Sequence, residues 1–207
     1  MEKQNDSSVE AMQQAKLQGL LFKDNGKILI DCLNKDIIEV IIPDGVVSIG
    51  EIPSQEEKDQ ARQYGEAPHK FPAFCYCRNL TNVIIPESVT EIGAEAFIWC
   101  DSLTNIILPK SVVKIGDFAF QRCSSLVSII IPDGVTEIGL GVFSGCINLT
   151  TVVIPNSVKI IHPRAFKSCK KLTNVVIPDS VTEISDTAFL RAGCEEQVQR
   201  DYRHLLK

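Results

Sequence analysis

LTNVIIPESVTEIGAEAFIWCDS, residues Leu80 to Ser102, is one copy of a pattern that recurs along the chain every 23 residues. Further copies in the same frame begin at Leu103, Leu126, Leu149 and Leu172, and an earlier copy begins at Ile37. A fixed period of this length over most of a chain is typical of a solenoid, in which each repeat is one coil stacked on the next. The sequence therefore predicts a β-rich repeat solenoid, and a repeated surface favours binding over catalysis.

Three residue types mark the period in columns. Proline recurs at Pro86, Pro109, Pro132, Pro155 and Pro178. Phenylalanine recurs at Phe74, Phe97, Phe120, Phe143, Phe166 and Phe189. Cysteine recurs at Cys77, Cys100, Cys123, Cys146 and Cys169. Because phenylalanine holds its column without exception, it is predicted to form the main spine of the core, and the cysteine column is predicted to pack there as reduced, small hydrophobic side chains.

Within one coil, Leu80, Val83 and Ile85 follow the L-x-x-L-x-L spacing of a leucine-rich repeat. Side chains alternate between the two faces of a strand, so Ile84 is predicted to point away from the core. Pro86 ends the strand because it has no amide proton for the next ladder hydrogen bond. A second short extended piece, a glycine turn and a helical turn follow, and the helical turn carries the phenylalanine and the cysteine on one side.

The whole pattern, L-T-x-I-x-I-P-x-S-V-x-x-I-G-x-x-A-F-x-x-C, resembles the BspA-like class of leucine-rich repeats, found in bacterial surface antigens and in some protists. The resemblance covers roughly Ile37 to Ala192. It implies a curved solenoid, a right-handed superhelix of the α/β type. In such a fold a parallel sheet lines the concave face, and short extended pieces and helical turns form the outer side. For many members the resemblance also implies adhesion or host-protein binding at the cell surface.

The two ends of a solenoid need covering, because terminal coils otherwise expose core and strand edges to water. Residues 1–36 are predicted to provide an N-terminal segment and a β-hairpin cap, since Asn25-Gly26 lies between two apolar runs. Capping-box spacing from Ser7 favours a short helix before the hairpin, and a loose tail is the alternative. Residues 193–207 are predicted to form a C-terminal capping helix, or alternatively a helix that binds another protein.

Between these ends, residues 37–192 are predicted to form six leucine-rich coils. The period fails once, because an extra stretch separates Gly50 from Phe74, which places an insertion at about residues 51–70. A capping box at Ser54 predicts a short charged helix there. Such an insertion can serve binding, or it can be a solvated decoration of the coil.

Composition and motifs argue against several classes of protein. A net charge of −5, with 21 Lys and Arg against 26 Asp and Glu and no basic cluster, argues against nucleic-acid binding. No run of about 18 apolar residues exists, so no membrane insertion is predicted. The 3 histidines are far apart in the sequence, and the close thiol pair of Cys75 and Cys77 does not complete a zinc site. We therefore expect no enzyme activity, cofactor or metal.

Two further features leave alternatives open. No apolar stretch of the secretory type follows Met1, which favours the cytoplasm unless an export segment was removed, whereas the family resemblance favours the cell surface or secretion. Three cysteines stand outside the column, namely Cys32, Cys75 and Cys194, and the pattern does not decide their redox state.

Strand alternation predicts the candidate binding surface. The residues that face away from the core form an aliphatic stripe, which consists of Ile41, Ile84, Ile107, Ile130, Val153 and Val176. Beside the stripe run the polar residues Glu39, Asn82, Asn105, Ser128, Thr151 and Asn174. A contiguous exposed apolar patch often marks an interaction site. The alternative is that β-branched residues simply pair well between neighbouring strands.

We therefore expect a non-enzymatic, protein-binding module of the leucine-rich repeat type, engaged in adhesion or in binding a host or matrix protein. The alternative is an intracellular scaffold or a self-assembling structural protein. In that case the stripe would join copies of the chain into a homo-oligomer.

Overall fold

The computed structural model describes residues 3–50 and 72–207, so the predicted insertion at residues 51–70 lies outside the described residues. The described helices are α1 Lys3–Leu17, α2 Glu195–Asp201 and the 3-10 helices Asp24–Gly26 and Arg203–Leu205. Strands β1 Leu20–Lys23 and β2 Ile28–Cys32 form an antiparallel hairpin. Every other described strand pair is parallel; β2 joins the hairpin to the first coil and the remaining pairs join coils to one another, which confirms the predicted repeat solenoid.

The coils form two ladders of short strands, separated by the repeat proline. The first ladder contains β3 Glu39–Ile41, β5 Asn82–Ile84, β8 Ser128–Ile130 and β10 Thr151–Val153. The second ladder contains β4 Ser48–Ile49, β6 Glu91–Ile92, β7 Lys114–Ile115, β9 Glu137–Ile138, β11 Ile160–Ile161 and β12 Glu183–Ile184. Proline divides them because it removes a ladder hydrogen bond.

The first ladder is not continuous. β3 pairs with β5 and β8 pairs with β10, whereas residues 105–107 and 174–176 adopt no strand. Each strand of this ladder has three residues and forms few hydrogen bonds with its neighbour, so a small increase in the distance between two coils ends the pairing. The second ladder runs further, from β2 through β4 and β6 to β7, and again from β9 through β11 to β12.

The outer arc of each coil is a series of turns instead of the predicted helical turn. In one coil, the Ile98 amide donates to the Glu95 carbonyl within the arc (3.0 Å). The Phe97 amide instead donates to the Ala119 carbonyl of the next coil (2.8 Å). A helix directs its amides along its own axis. Here half of the amides in the arc donate to carbonyls of the neighbouring coil, and these hydrogen bonds hold the stack together.

Left-handed backbone accompanies these turns at two repeat positions. The first comprises Glu95, Phe118, Gly141 and Arg164, all with positive φ. The second comprises Tyr76, Trp99, Arg122, Gly145, Ser168 and Arg191, again with positive φ. This conformation costs a residue other than glycine roughly 1–3 kcal/mol. The hydrogen bonds to the next coil therefore impose a geometry that most of these side chains disfavour.

The turn glycine of the repeat serves close packing. At Gly116 an added Cβ would overlap the backbone nitrogen of Ala94, in the preceding coil. Positive φ is not needed, since Gly116 does not adopt it. His162 and Ser185 occupy the equivalent position in the last two coils. Whether this position requires glycine therefore depends on how closely each pair of coils approaches.

The phenylalanine column is the spine of the core, as predicted. Phe74 to Phe166 are fully buried and Phe189 is 3% exposed. Neighbouring rings have centroids 5.0–5.6 Å apart and interplanar angles of 4–16°. Rings at this distance and angle form an offset stack. The spine therefore continues through every coil from Phe74 onward.

The cysteine column adds hydrogen bonds to this core. The thiols of Cys100, Cys123, Cys146 and Cys169 donate to the carbonyls of Phe74, Phe97, Phe120 and Phe143 at 3.1–3.2 Å. Each bond joins one coil to the coil before it, so the thiols do more than fill space. All eight cysteines are free.

The N-terminal hairpin extends the second ladder, since β2 pairs in parallel with β4. Leu20 and Leu29 of the hairpin are fully buried, and Ala15 of α1 is 2% exposed. These contacts support the proposed capping role of residues 1–36.

Helix α2 covers the end of the first ladder. The Gln197 amide oxygen accepts from the Val175 amide (3.0 Å), and the Gln197 amide nitrogen donates to the Val175 carbonyl (2.9 Å). The Tyr202 hydroxyl accepts from the Ile177 amide (3.2 Å). Val198 is 2% exposed. Side chains thus replace the backbone of a missing next strand, which supports the proposed capping role of residues 193–207.

The C-terminal segment differs from the prediction of one helix. Helix α2 ends at Asp201, and Leu206 forms a parallel bridge with Ile184. The Lys207 amide donates to the Ile184 carbonyl (2.9 Å). The last residues leave the helix because they complete the edge of the second ladder, where their backbone groups find partners.

Removing the Gln197 side-chain amide is expected to destabilise this end. Gln197→Ala leaves the backbone N–H and C=O of Val175 without these partners, at a cost of ~1–3 kcal/mol in the free energy of unfolding. Urea denaturation and hydrogen exchange at the Val175 amide measure the effect. Gln199→Ala, an exposed position on the same helix, is the control. Equal exchange rates in both variants would contradict the capping role.

Candidate functional site

The aliphatic stripe lies on the solvent-exposed side of the first ladder and of the unpaired residues 105–107 and 174–176 that continue its row. Its members are between 47% (Val153) and 75% (Ile107) exposed, and they are Ile41, Ile84, Ile107, Ile130, Val153 and Val176. Their neighbours along the chain are buried or half-buried, for example Val83 at 4% and Ile129 at 1%. The pleat of a strand produces this alternation, because successive side chains point to opposite faces. The structure therefore brings the predicted apolar residues together in one exposed row.

The register between coils aligns the stripe and its polar border. Ile41 pairs with Ile84, and Val153 pairs with Ile130. In the border, five residues are exposed and Ser128 is half-buried, the set being Glu39, Asn82, Asn105, Ser128, Thr151 and Asn174. An apolar row beside polar groups suits a protein interface with a dry centre and a wet rim. Binding by these residues stays a prediction.

A depression of about 550 Å³ opens on this face, where β5 meets the unpaired residues 105–107. Its lining combines stripe and border residues with six residues that belong to neither, namely Thr81, Val83, Ile85, Glu87, Thr104 and Pro109. The volume falls within the ~300–1,000 Å³ range of ligand pockets. The sequence carries a signal for the two threonines, since each follows the first leucine of its coil, but no pattern distinguishes Glu87. The interrupted ladder, and so the depression, is visible only in the structure.

The histidines do not form a shared site in the described part of the chain. His162 Nε2 lies 3.0 Å from Glu137 Oε2 in an exposed pair, and His204 is exposed near the C-terminus. His69 lies outside the described residues. Among residues 3–50 and 72–207, no three His, Cys, Asp or Glu residues are arranged to hold a metal ion. No helix in these ranges is long and apolar enough to cross a membrane.

The cysteines outside the column lack the environment of a reactive nucleophile. Burial raises the pKa of the Cys75 thiol to about 11, and it does the same for Cys194. A hydrogen bond with Cys77 lowers the pKa of Cys32, whose side chain is fully buried. A reactive cysteine needs both a lowered thiol pKa and exposure to solvent, and none of these three combines them.

Comparison with known proteins agrees with this geometry. The family described as "BspA type Leucine rich repeat region" matches residues 70–195 in 6 copies. Among solved structures, the chain is similar to a leucine-rich repeat protein of T. pallidum, TpLRR, with a TM-score of 0.66 and 26% identity over 92% of this chain and 94% of that chain. No curated protein matches.

A second solved structure is a leucine-rich repeat protein from Eubacterium ventriosum. It has a TM-score of 0.57 and 27% identity over 84% of this chain and 48% of that chain. This chain therefore spans about half the length of the Eubacterium protein.

Proposed function

Because the chain belongs to the BspA-type leucine-rich repeat family, we propose that it binds a partner protein through the aliphatic stripe and its polar border. The repeats of this family are protein-interaction modules, and the fold is typically non-enzymatic. The observation that carries the proposal is the row of six aliphatic side chains, 47–75% exposed, on one ladder face. Large exposed apolar patches on a folded protein often mark interaction sites.

Adhesion to a host or matrix protein is the function we favour. BspA-like repeats occur in bacterial surface antigens, and the stripe offers a partner a repeated contact across many coils. A matrix protein with an elongated apolar surface can contact several coils at once, so weak contacts add up along the row.

A second candidate, an intracellular scaffold or self-assembling protein, is favoured by a different observation. Every cysteine is a free thiol, and four of the column donate to backbone carbonyls. Extracellular proteins more often pair their cysteines in disulfides. In this alternative a second copy of the chain covers the stripe. Fractionation of native cells separates the candidates, since recovery from the cytosol alone would exclude adhesion.

Charging the centre of the stripe is expected to weaken partner binding strongly. In the double variant Ile107→Lys with Ile130→Lys, two ammonium groups would be desolvated by any apolar partner surface, so affinity falls by at least ~tenfold. Binding to an array of purified extracellular-matrix proteins and the solution mass from light scattering provide the two readouts. Loss of matrix binding supports adhesion, and dissociation of an oligomer supports self-assembly.

The matched control places the same charges elsewhere. Val113 and Ile147 are exposed aliphatic residues outside the stripe, at 53% and 42%. The double variant Val113→Lys with Ile147→Lys is expected to keep full binding and an unchanged mass. If the stripe variant behaves like this control in both readouts, the stripe is not the binding surface.

A further inference from the structure

A cluster of two aromatic and two arginine side chains lies on the outer arc, away from the first ladder. The rings of Tyr76 and Trp99 stack with centroids 6.2 Å apart and 21° between their planes. The Arg122 guanidinium carbon lies 4.3 Å from the centroid of Trp99. The Arg78 guanidinium carbon lies 5.3 Å from Trp99 and 6.0 Å from Tyr76. Trp99 is therefore in contact with a ring and with two cations.

The order of these residues follows from the repeat. Tyr76, Trp99 and Arg122 occupy the same position of three successive coils, so their side chains are stacked like the coils themselves. The next coil has Gly145 at this position, where an added Cβ would lie 3.1 Å from Cγ of Arg122. Glycine leaves room for the Arg122 stem, and the stack ends there.

Core packing does not explain the cluster. Tyr76 is 51% exposed, Trp99 is half-buried and Arg122 is exposed. All three have positive φ, a conformation that such side chains disfavour and that suits glycine better. Tyrosine, tryptophan and arginine are the residues that most often dominate binding energy at protein interfaces. The cluster thus has the composition of an interface centre at a position where stability alone favours glycine.

The charges of the cluster indicate the sign of its partner. Arg78 Nε lies 3.8 Å from Asp101 Oδ2, and the Asp101 carboxylate also accepts from the Ser124 hydroxyl (3.2 Å). Within the described residues, Arg122 has no carboxylate partner. Two guanidinium groups and one carboxylate leave a local positive charge on a chain whose net charge is −5.

We propose that this cluster is a second binding surface, distinct from the stripe, and that it takes an acidic peptide segment of a partner protein. A carboxylate of the segment accepts both edge N–H groups of Arg122, whose face stays on Trp99. Guanidinium binds a carboxylate in this bidentate geometry while it stacks on a ring. A nucleic acid is disfavoured, because a polyphosphate backbone would meet only two arginines on an acidic protein.

Trp99 itself reports on the surface, because it is the single tryptophan of the chain. Titration with a hexaglutamate peptide is expected to change the tryptophan emission saturably, whereas a hexalysine peptide does not. Arg122→Gln is expected to weaken hexaglutamate binding about tenfold, and added salt weakens it for the wild type. Arg191→Gln is the matched control, since Arg191 is exposed, has positive φ and occupies the same repeat position far along the stack.

Several outcomes overturn the proposal. Emission that does not respond to hexaglutamate excludes an acidic partner, and equal responses of the Arg122 and Arg191 variants exclude the cluster as its site. A stronger response to an oligothymidylate assigns the surface to nucleic acid instead. Emission that changes with protein concentration alone assigns it to self-association. Thermal unfolding followed by circular dichroism verifies that both variants are folded.

Discussion

Phe143→Ala is expected to lower the free energy of unfolding by ~3–5 kcal/mol, as large-to-small changes in a packed core do. Phe143 is fully buried, and its ring stacks on Phe120 at 5.6 Å and on Phe166 at 5.5 Å. The substitution removes both contacts and leaves a cavity that the two adjacent coils cannot fill without losing their own hydrogen bonds. Urea denaturation followed by circular dichroism measures the loss.

Phe118→Ala provides the comparison for this prediction. Phe118 is half-buried and lies on the outer arc outside the ring stack, so its truncation is expected to cost distinctly less than that of Phe143. If both variants and the wild type unfold at the same urea concentration, the phenylalanine column is not the spine of the core.

Alkaline pH is expected to unfold the protein between pH 9 and about pH 12. Burial raises the pKa of Cys146 from 9.0 to about 12, and it also raises the pKa values of Cys100, Cys123 and Cys169. Below pH 9 these thiols are protonated in both states, and the stability is fully present. Above pH 9 the unfolded chain releases their protons while the folded chain retains them, so stability falls with rising pH. Cys146 alone accounts for ~4 kcal/mol by pH 12, at ~1.4 kcal/mol per pH unit.

The measurement is chemical denaturation from pH 7 to pH 11 in the presence of a reductant. Lysine and tyrosine also titrate in this range, so the double variant Cys123→Ala with Cys146→Ala isolates the thiols. This variant is expected to be less stable than the wild type at pH 7, because it lacks two thiol-to-carbonyl hydrogen bonds. Its stability should nevertheless fall less steeply above pH 9. A parallel decline in the two proteins would contradict the role of the buried thiols.

The core and the exposed stripe were predictable because both depend on local periodicity. Strand alternation places Val83 inside and Ile84 outside whatever the neighbouring coil does. The repeat then copies that choice into each coil, so one coil suffices to assign the stripe. The depression beside it was not predictable, because it depends on where the first ladder is interrupted.

The outer arc was predicted less well, because its geometry depends on neighbouring coils. The spacing of Phe97 and Cys100 is compatible with a helical turn, yet the amide of Phe97 donates a hydrogen bond to a carbonyl of the next coil. The contact with the next coil imposes the positive φ of Trp99, so no glycine at this position marks the left-handed backbone in the sequence. The cluster of Tyr76, Trp99 and Arg122 was missed although its members occupy one repeat position, because their residue types differ from coil to coil and form no column.

The sequence by itself determined the family, the stack of coils, the phenylalanine spine and the face of each strand residue, because each of these follows from a 23-residue period and the alternation of a strand. Only the tertiary structure decided which amides join neighbouring coils, where the first ladder is interrupted, how the last residues complete the second ladder, and which side chains of different coils meet at Trp99. Those features depend on distances between coils, and a period specifies what repeats but not how closely two copies approach.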